Sequence, residues 1–138
     1  MDIYAEINGI KYINDSYSTT PETAIAAIKS FLEPIVLICG GRSKGGDYNK
    51  LVKVISKSSV KSVILIGEMA KELNSKLKNR TIANLGFSPM DKIVKTANKE
   101  AKPGDVVLLS PGCASFDMFK NASDRGSQFK QIVKKLKI

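Results

Sequence analysis

Apolar and polar positions along the chain fall into alternating blocks with two different periods. From Ile3 to Ile13 they alternate loosely about Asn8-Gly9, a dipeptide suited to the two-residue type I′ turn. The stretch is therefore predicted to be a β-hairpin whose second arm is Lys11-Tyr12-Ile13. Thr20-Pro21-Glu22 reads as a helix start, with Thr as N-cap and Pro in the first helical position. Ala24, Ile25, Ile28, Phe31 and Leu32 then recur on one face until Pro34 stops the helix. Three continuous apolar runs follow at intervals: Ile35 to Cys39, Ser62 to Ile66, and Asp105 to Leu109. Runs of this kind are expected of strands covered on both faces.

Between and after these runs lie helical stripes. They are carried by Leu51, Val52 and Ile55, by Ala70, Leu73 and Leu77, by Met90, Ile93, Val94 and Ala97, and by Phe129, Ile132, Val133 and Leu136. Thr81-Ile82-Ala83 adds a short strand. Strands separated by helices of this length favour parallel crossovers. The predicted architecture is a three-layer α/β sandwich with a mostly parallel sheet, to which the N-terminal hairpin adds an antiparallel strand. With 138 residues the chain is expected to form a single domain over 1–138.

Composition narrows the chemistry. At 43% hydrophobic and 25% charged residues the chain reads as soluble and globular. It has no apolar run long enough for a transmembrane helix and no signal core at its start, so no membrane partner and a cytoplasmic location are expected. Histidine is absent, which removes Ser-His-Asp and Cys-His nucleophiles and His-ligated zinc. Cys39 and Cys113 are too few for a thiolate metal site and are read as buried thiols. The formal charge of +9 comes mainly from lysines spread along helix faces, with arginine only at 42, 80 and 125. This describes a solvated basic surface and not a nucleic-acid footprint, which leans on arginine and interleaved aromatics.

In a parallel sheet ligands sit at the carboxyl ends of the strands, so the loops there carry the signal. Asn14 to Pro21 is rich in small polar residues before a helix N-terminus, which suits either an anion site or a plain capped turn. Gly40-Gly41-Arg42-Ser43-Lys44-Gly45-Gly46-Asp47 offers backbone amides and cations to an anion, or is a flexible connection. It is not a nucleotide P-loop, because Gly45 follows Lys44 where Ser or Thr is required. Ser110 to Phe119 lacks the glycine spacing of a nucleophile elbow. There Ser115 is the candidate ligand donor, and Phe116, Met118 and Phe119 are candidate core.

Taken in order, these loops resemble the C-terminal domain of the Mur ligases. The resemblance is carried by Asn14-Asp15-Ser16 with Thr19, by Gly40-Gly41-x-x-Lys44, and by Leu109-Ser110-Pro111-x-Cys113-Ala114-Ser115-Phe116-Asp117-x-Phe119-Lys120-Asn121 followed by Arg125-Gly126-x-Gln128-Phe129. The last stretch is similar to the D-glutamate-adding branch. The resemblance implies a Rossmann-like fold and a share in an ATP-dependent amide ligase of peptidoglycan synthesis. Such an enzyme phosphorylates the alanyl carboxylate of UDP-N-acetylmuramoyl-L-alanine and lets the D-glutamate amine attack the acyl phosphate. By that pattern Thr19, Lys44, Ser115 and the backbone N–H at Ala122 hold the D-glutamate carboxylates, and Asp15 faces ATP. ATP and Mg2+ are expected to bind mainly outside this domain, which would hold no metal ligand and no catalytic residue of its own. Tyr17 stands where many relatives carry Lys, and Ala122 where an aromatic is usual. The UDP-sugar and central ATPase domains of relatives have no counterpart in these residues, so the chain is expected to be an excised domain or fragment. The alternative is a free-standing small-molecule or anion-binding module that kept the fold without catalysis.

Overall fold

The computed structural model describes residues 2–43, 47–78, 81–115 and 118–136. Its first two strands, β1 (Asp2–Ile7) and β2 (Ile10–Asn14), form the expected antiparallel hairpin. Asn8 and Gly9 both have positive φ, 53° and 80°, as a type I′ turn requires. The remaining elements are α1 (Pro21–Lys29), β3 (Ile35–Gly40), α2 (Asn49–Lys57), β4 (Val60–Ile66), α3 (Ala70–Lys76), β5 (Thr81–Gly86), α4 (Met90–Glu100), β6 (Val106–Leu109) and α5 (Ala122–Lys135). The six strands make one sheet in the order β1-β2-β6-β3-β4-β5, and every pairing except β1 with β2 is parallel.

Alternation along the central strands divides the interior into two cores. Ile35, Leu37 and Cys39 of β3, Val63 and Leu65 of β4, and Val106 and Leu108 of β6 pack with Ala24, Ile28, Leu51, Ile55 and Leu73 from α1, α2 and α3. The intervening residues Val36, Ile38, Ile64, Ile66, Val107 and Leu109 pack with Ile93, Val94, Phe129 and Val133 from α4 and α5. This is the three-layer arrangement that the unbroken apolar runs predict. Full burial of each Val, Leu, Ile or Phe side chain among them stabilises the fold by about 1.5–3 kcal/mol.

Helix α1 starts where its sequence directs. Thr20 Oγ1 accepts from Thr23 N–H at 3.3 Å, and Thr23 Oγ1 accepts from Thr20 N–H at 3.4 Å. This is a capping box with threonine in place of the usual Glu or Gln. The helix ends earlier than expected, at Lys29, and Leu32 is 99% exposed, not part of the inward face. Pro34 disfavours helical backbone in the residue before it, and the chain must reverse to enter β3 at Ile35, so the last turn closes at Ser30, whose N–H bonds Ala27 O. Strand β5 runs three residues further than expected, to Gly86. It is the half-exposed edge of the sheet, and Asn84 interrupts the apolar run that marks the buried strands.

Gly40 ends β3 at φ +127°, and a Cβ there would lie 2.1 Å from Ile66 O. Gly104 also has positive φ, +96°, but its Cβ would meet nothing within 4 Å. Gly104→Ala is expected to cost about 1–2 kcal/mol from backbone strain, and Gly40→Ala about 3 kcal/mol or more because a clash with fixed backbone is added. Urea denaturation midpoints at constant slope measure both; equal losses would contradict the close approach at Gly40.

Candidate functional site

Because β2, β3, β4 and β6 run parallel, the loops that follow them meet at one edge of the sheet. Main-chain hydrogen bonds join these loops to one another. Asp15 N–H donates to Leu109 O at 2.8 Å, and Gly112 N–H to Ser18 O at 2.8 Å. Gly40 N–H donates to Pro111 O at 2.9 Å, and Arg42 and Ala114 exchange a pair of bonds at 2.9 Å each. Gly41 N–H reaches Ile66 O at 3.1 Å, while its carbonyl accepts from Met69 N–H at 2.9 Å.

These bonds revise the reading of Gly40 and Gly41; residues 44–46 of the same loop lie outside the described residues. The amides of Gly40 and Gly41 are turned into the loop after β6 and the end of β4, and so do not cradle an anion. Their lack of a Cβ serves close approach, since a Cβ on Gly41 would lie 2.4 Å from Ala114 O. Arg42 is exposed and its Nε pairs with Glu68 Oε2 at 3.5 Å, an exposed ion pair worth about 0–1 kcal/mol.

Side chains add a second tier. Asp15 Oδ2 accepts from Ser110 Oγ at 2.9 Å and also from Ser18 Oγ. Both serines are buried, so the carboxylate ties the loop after β2 to the loop after β6. Beside it, Asp15, Ser18, Thr23 and Ala26 line a groove of about 210 Å³ along α1. Arg125 in the first turns of α5 is fully buried and fans across the same two loops. Its Nε donates to Ser16 Oγ at 2.9 Å, its Nη2 to Ser16 O at 2.6 Å and its Nη1 to Cys113 O at 3.1 Å. Ser16 Oγ in turn donates to Ala122 O at 2.7 Å.

Around this frame stand Thr19, Ser115 and Ala122, three of the residues singled out from sequence. Thr19 is half-buried, with its N–H on Tyr17 O at 2.9 Å. Ser115 is buried, and its carbonyl accepts from Met118 N–H at 3.1 Å and Phe119 N–H at 2.9 Å. Ala122 opens α5, where the first-turn N–H groups have no preceding helical carbonyl. Asn121 caps that turn by accepting from Asp124 N–H at 2.8 Å. Tyr17 is 72% exposed. Met118 and Phe119 pack against the core as expected. Lys44, Phe116 and Asp117 lie outside the described residues. The residues that join the loops, Ser16, Ser110 and Arg125, were not singled out as site residues from the sequence. In the sequence Arg125 stands out only within the Arg125-Gly126-x-Gln128-Phe129 stretch of the resemblance; in the fold a Cβ on its neighbour Gly126 would sit 3.0 Å from Asn14 Nδ2.

Among the described residues no group of three or more His, Cys, Asp or Glu side chains could hold a metal ion. Nor is any helix among them long and apolar enough to cross a membrane.

A family model described as the glutamate ligase domain of Mur ligases matches residues 1–113. UDP-N-acetylmuramoylalanine--D-glutamate ligase of Pelotomaculum thermopropionicum is 41% identical over 138 residues, covering 99% of this chain and 30% of that protein. The ligase of the same name from Desulfitobacterium hafniense strain Y51 is 44% identical over 135 residues, covering 97% of this chain and 30% of that protein. The chain thus spans about 30% of the length of these relatives. MurF ligase from Thermotoga maritima in complex with ADP superposes with a TM-score of 0.60 at 19% identity, over 96% of this chain and 30% of that one. At that identity the likeness shows the fold.

Both cysteines are buried, as their sequence context suggests, and Cys39 Sγ donates to Pro111 O at 3.3 Å. Burial raises the Cys39 thiol well above its ordinary value of 9.0, and the nearby Cys113 adds to the rise. Cys39 therefore stays protonated in the folded chain at a pH where the unfolded chain loses that proton. Its contribution to stability is complete below pH 9 and is lost as pH rises above it, at about 1.4 kcal/mol per pH unit. Unfolding free energies measured at pH 8 and pH 10 are expected to fall more steeply in the wild type than in Cys39→Ala. Equal slopes would contradict the buried, neutral thiol.

Proposed function

Since the chain belongs to the Mur ligases, through their glutamate ligase domain, we propose that it is the amino-acid-binding domain of an ATP-dependent ligase. That ligase joins D-glutamate to UDP-N-acetylmuramoyl-L-alanine in the cytoplasm during peptidoglycan synthesis. The convergence of the loops after β2, β3 and β6 on one sheet edge supplies the site, and the relatives carry the choice of reading. Relatives that match nearly the whole chain carry the name of that activity. The same convergence with unrelated relatives would leave the alternative, a free-standing anion-binding module, on equal terms.

D-Glutamate brings two carboxylates, which call for a cation and oriented neutral donors. Thr19 and Ser115 offer hydroxyls from two loops that the Gly112 to Ser18 bond holds together. Ala122 offers an N–H at the positive end of α5, and Lys44 supplies the cation. Charged hydrogen bonds of this kind are each worth about 1.5–3 kcal/mol.

A nucleotide triphosphate fits the described residues less well. The Gly40 and Gly41 amides are occupied within the protein and no metal cluster is present among the described residues. We assign ATP and its magnesium to other parts of a longer protein, as we do the UDP sugar, with residues 1–138 forming one domain beside them. Asp15, oriented by Ser18 and Ser110, stands at the edge that would face the nucleotide. When bound, ATP supplies the activating phosphoryl group; this domain places the attacking amino acid. Neither nucleic acid nor a membrane is a partner in this reading.

A few charged hydrogen bonds must offset an association cost of about 4 kcal/mol or more, and other parts of the ligase are needed to close the pocket. The chain is therefore expected to bind D-glutamate with a Kd of about 1 mM or weaker, equivalent to about −4.1 kcal/mol, and more weakly still in Lys44→Ala. Backbone NMR titration tests this: amides of the Lys44 and Ser115 loops should shift together. Shifts confined to other surfaces, or an unchanged response in Lys44→Ala, would overturn the residue assignment.

A further inference from the structure

We infer that Arg125 is the positioning residue of this site: its guanidinium holds the loop after β2 in register with the loop after β6, so that Thr19 and Ser115 face one ligand. The inference rests on the amino-acid-binding role proposed for those loops.

Arg125 is fully buried, and its described partners lie on two loops distant in sequence. Nε and Nη2 grip Ser16, three residues before Thr19, at 2.9 and 2.6 Å. Nη1 grips the carbonyl of Cys113, two residues before Ser115, at 3.1 Å. The Ser16 hydroxyl then returns to the carbonyl of Ala122 at 2.7 Å, closing a ring that includes the first turn of α5. The two loops that carry Thr19 and Ser115 are therefore fixed to the same rigid, planar group, close to each of those donors. Gly126 next to it lets α5 lie close to the loop after β2, since a Cβ there would come within 3.0 Å of the Asn14 side chain and 3.2 Å of Ser16 Cβ.

The chemistry selects arginine. A guanidinium presents several N–H groups in a fixed fork, so three acceptors on two loops are held at set angles, whereas a lysine ammonium is a point charge on a flexible stem. Hydroxyls that must converge on one small dicarboxylate gain from such a frame, because small displacements of a supporting shell loosen a site without unfolding it.

Amide hydrogen exchange on the full chain tests this, comparing wild type with Arg125→Lys and Ser16→Ala. Loss of one charged hydrogen bond should speed exchange at Gly112, whose N–H donates to Ser18 O, by about tenfold or more, while buried amides of β3 and β4 stay within about twofold. The apparent Kd for D-glutamate should weaken in the same variants by about tenfold. A uniform rise across loops and sheet would mean a purely structural arginine and would overturn the inference, as would unchanged exchange at Gly112. If Arg125→Lys does not fold, Ser16→Ala carries the same expectation alone. If wild type shows no response to D-glutamate, the ligand reading falls, while the exchange pattern still decides whether Arg125 holds the two loops.

Discussion

The hydrogen bond from Gly40 N–H to Pro111 O sets how closely the end of β3 can approach the segment after β6. A strand end is a difficult place in a parallel sheet, because the ladder stops and the next peptide groups still need partners. Here the loops satisfy one another. Gly40 bonds the β6 loop, Gly41 bonds the end of β4, and the Arg42 and Ala114 pair adds a short antiparallel bridge. Such contacts need bare backbone on one side, which is why the two glycines sit with φ near +127° under neighbouring carbonyls. The site inherits its shape from this arrangement.

Upon that main-chain frame the polar side chains work at two levels. Exposed charges such as Arg42 and Glu68 contribute little, since water screens them. Buried groups contribute more, because an unmade hydrogen bond in the interior costs about 1–3 kcal/mol. Asp15 with Ser18 and Ser110, and Arg125 with Ser16 and Cys113, link the same pair of loops by independent routes. Thr19 and Ser115 therefore lie on segments whose neighbours are already fixed before a ligand arrives, which reduces the ordering cost of binding a small dicarboxylate.

Local pattern was informative wherever local physics decides the outcome. The Asn8-Gly9 turn, the Thr20-Pro21 helix start and the buried runs of β3, β4 and β6 are each determined within a few residues. The position of β6 between β2 and β3 was not legible, because no local pattern states which strand a given strand will pair with. The same limit hid the role of Arg125: Ser16 is 109 residues away and Cys113 is 12 away, and only the folded sheet brings them together. Gly40 and Gly41 were misleading for a related reason. Glycine is equally suited to presenting an amide to an anion and to admitting a neighbouring carbonyl, and the choice belongs to tertiary packing. The β5 edge lay between these cases, its apolar signal diluted by solvent on one side.

Stereochemistry offers the most direct test of the claim that one built site at the carboxyl edge of the sheet receives D-glutamate. Donors fixed at separate points of a rigid frame distinguish mirror images, whereas a diffuse basic surface responds to charge alone. Backbone NMR spectra of the full chain should be recorded with D-glutamate and with L-glutamate at equal concentration and ionic strength. The account predicts that amides at Thr19, Ser115 and Ala122 shift together with the D enantiomer and respond far less to the L enantiomer. Equal responses to both enantiomers, or shifts limited to the lysine-bearing faces of α2 and α4, would contradict it.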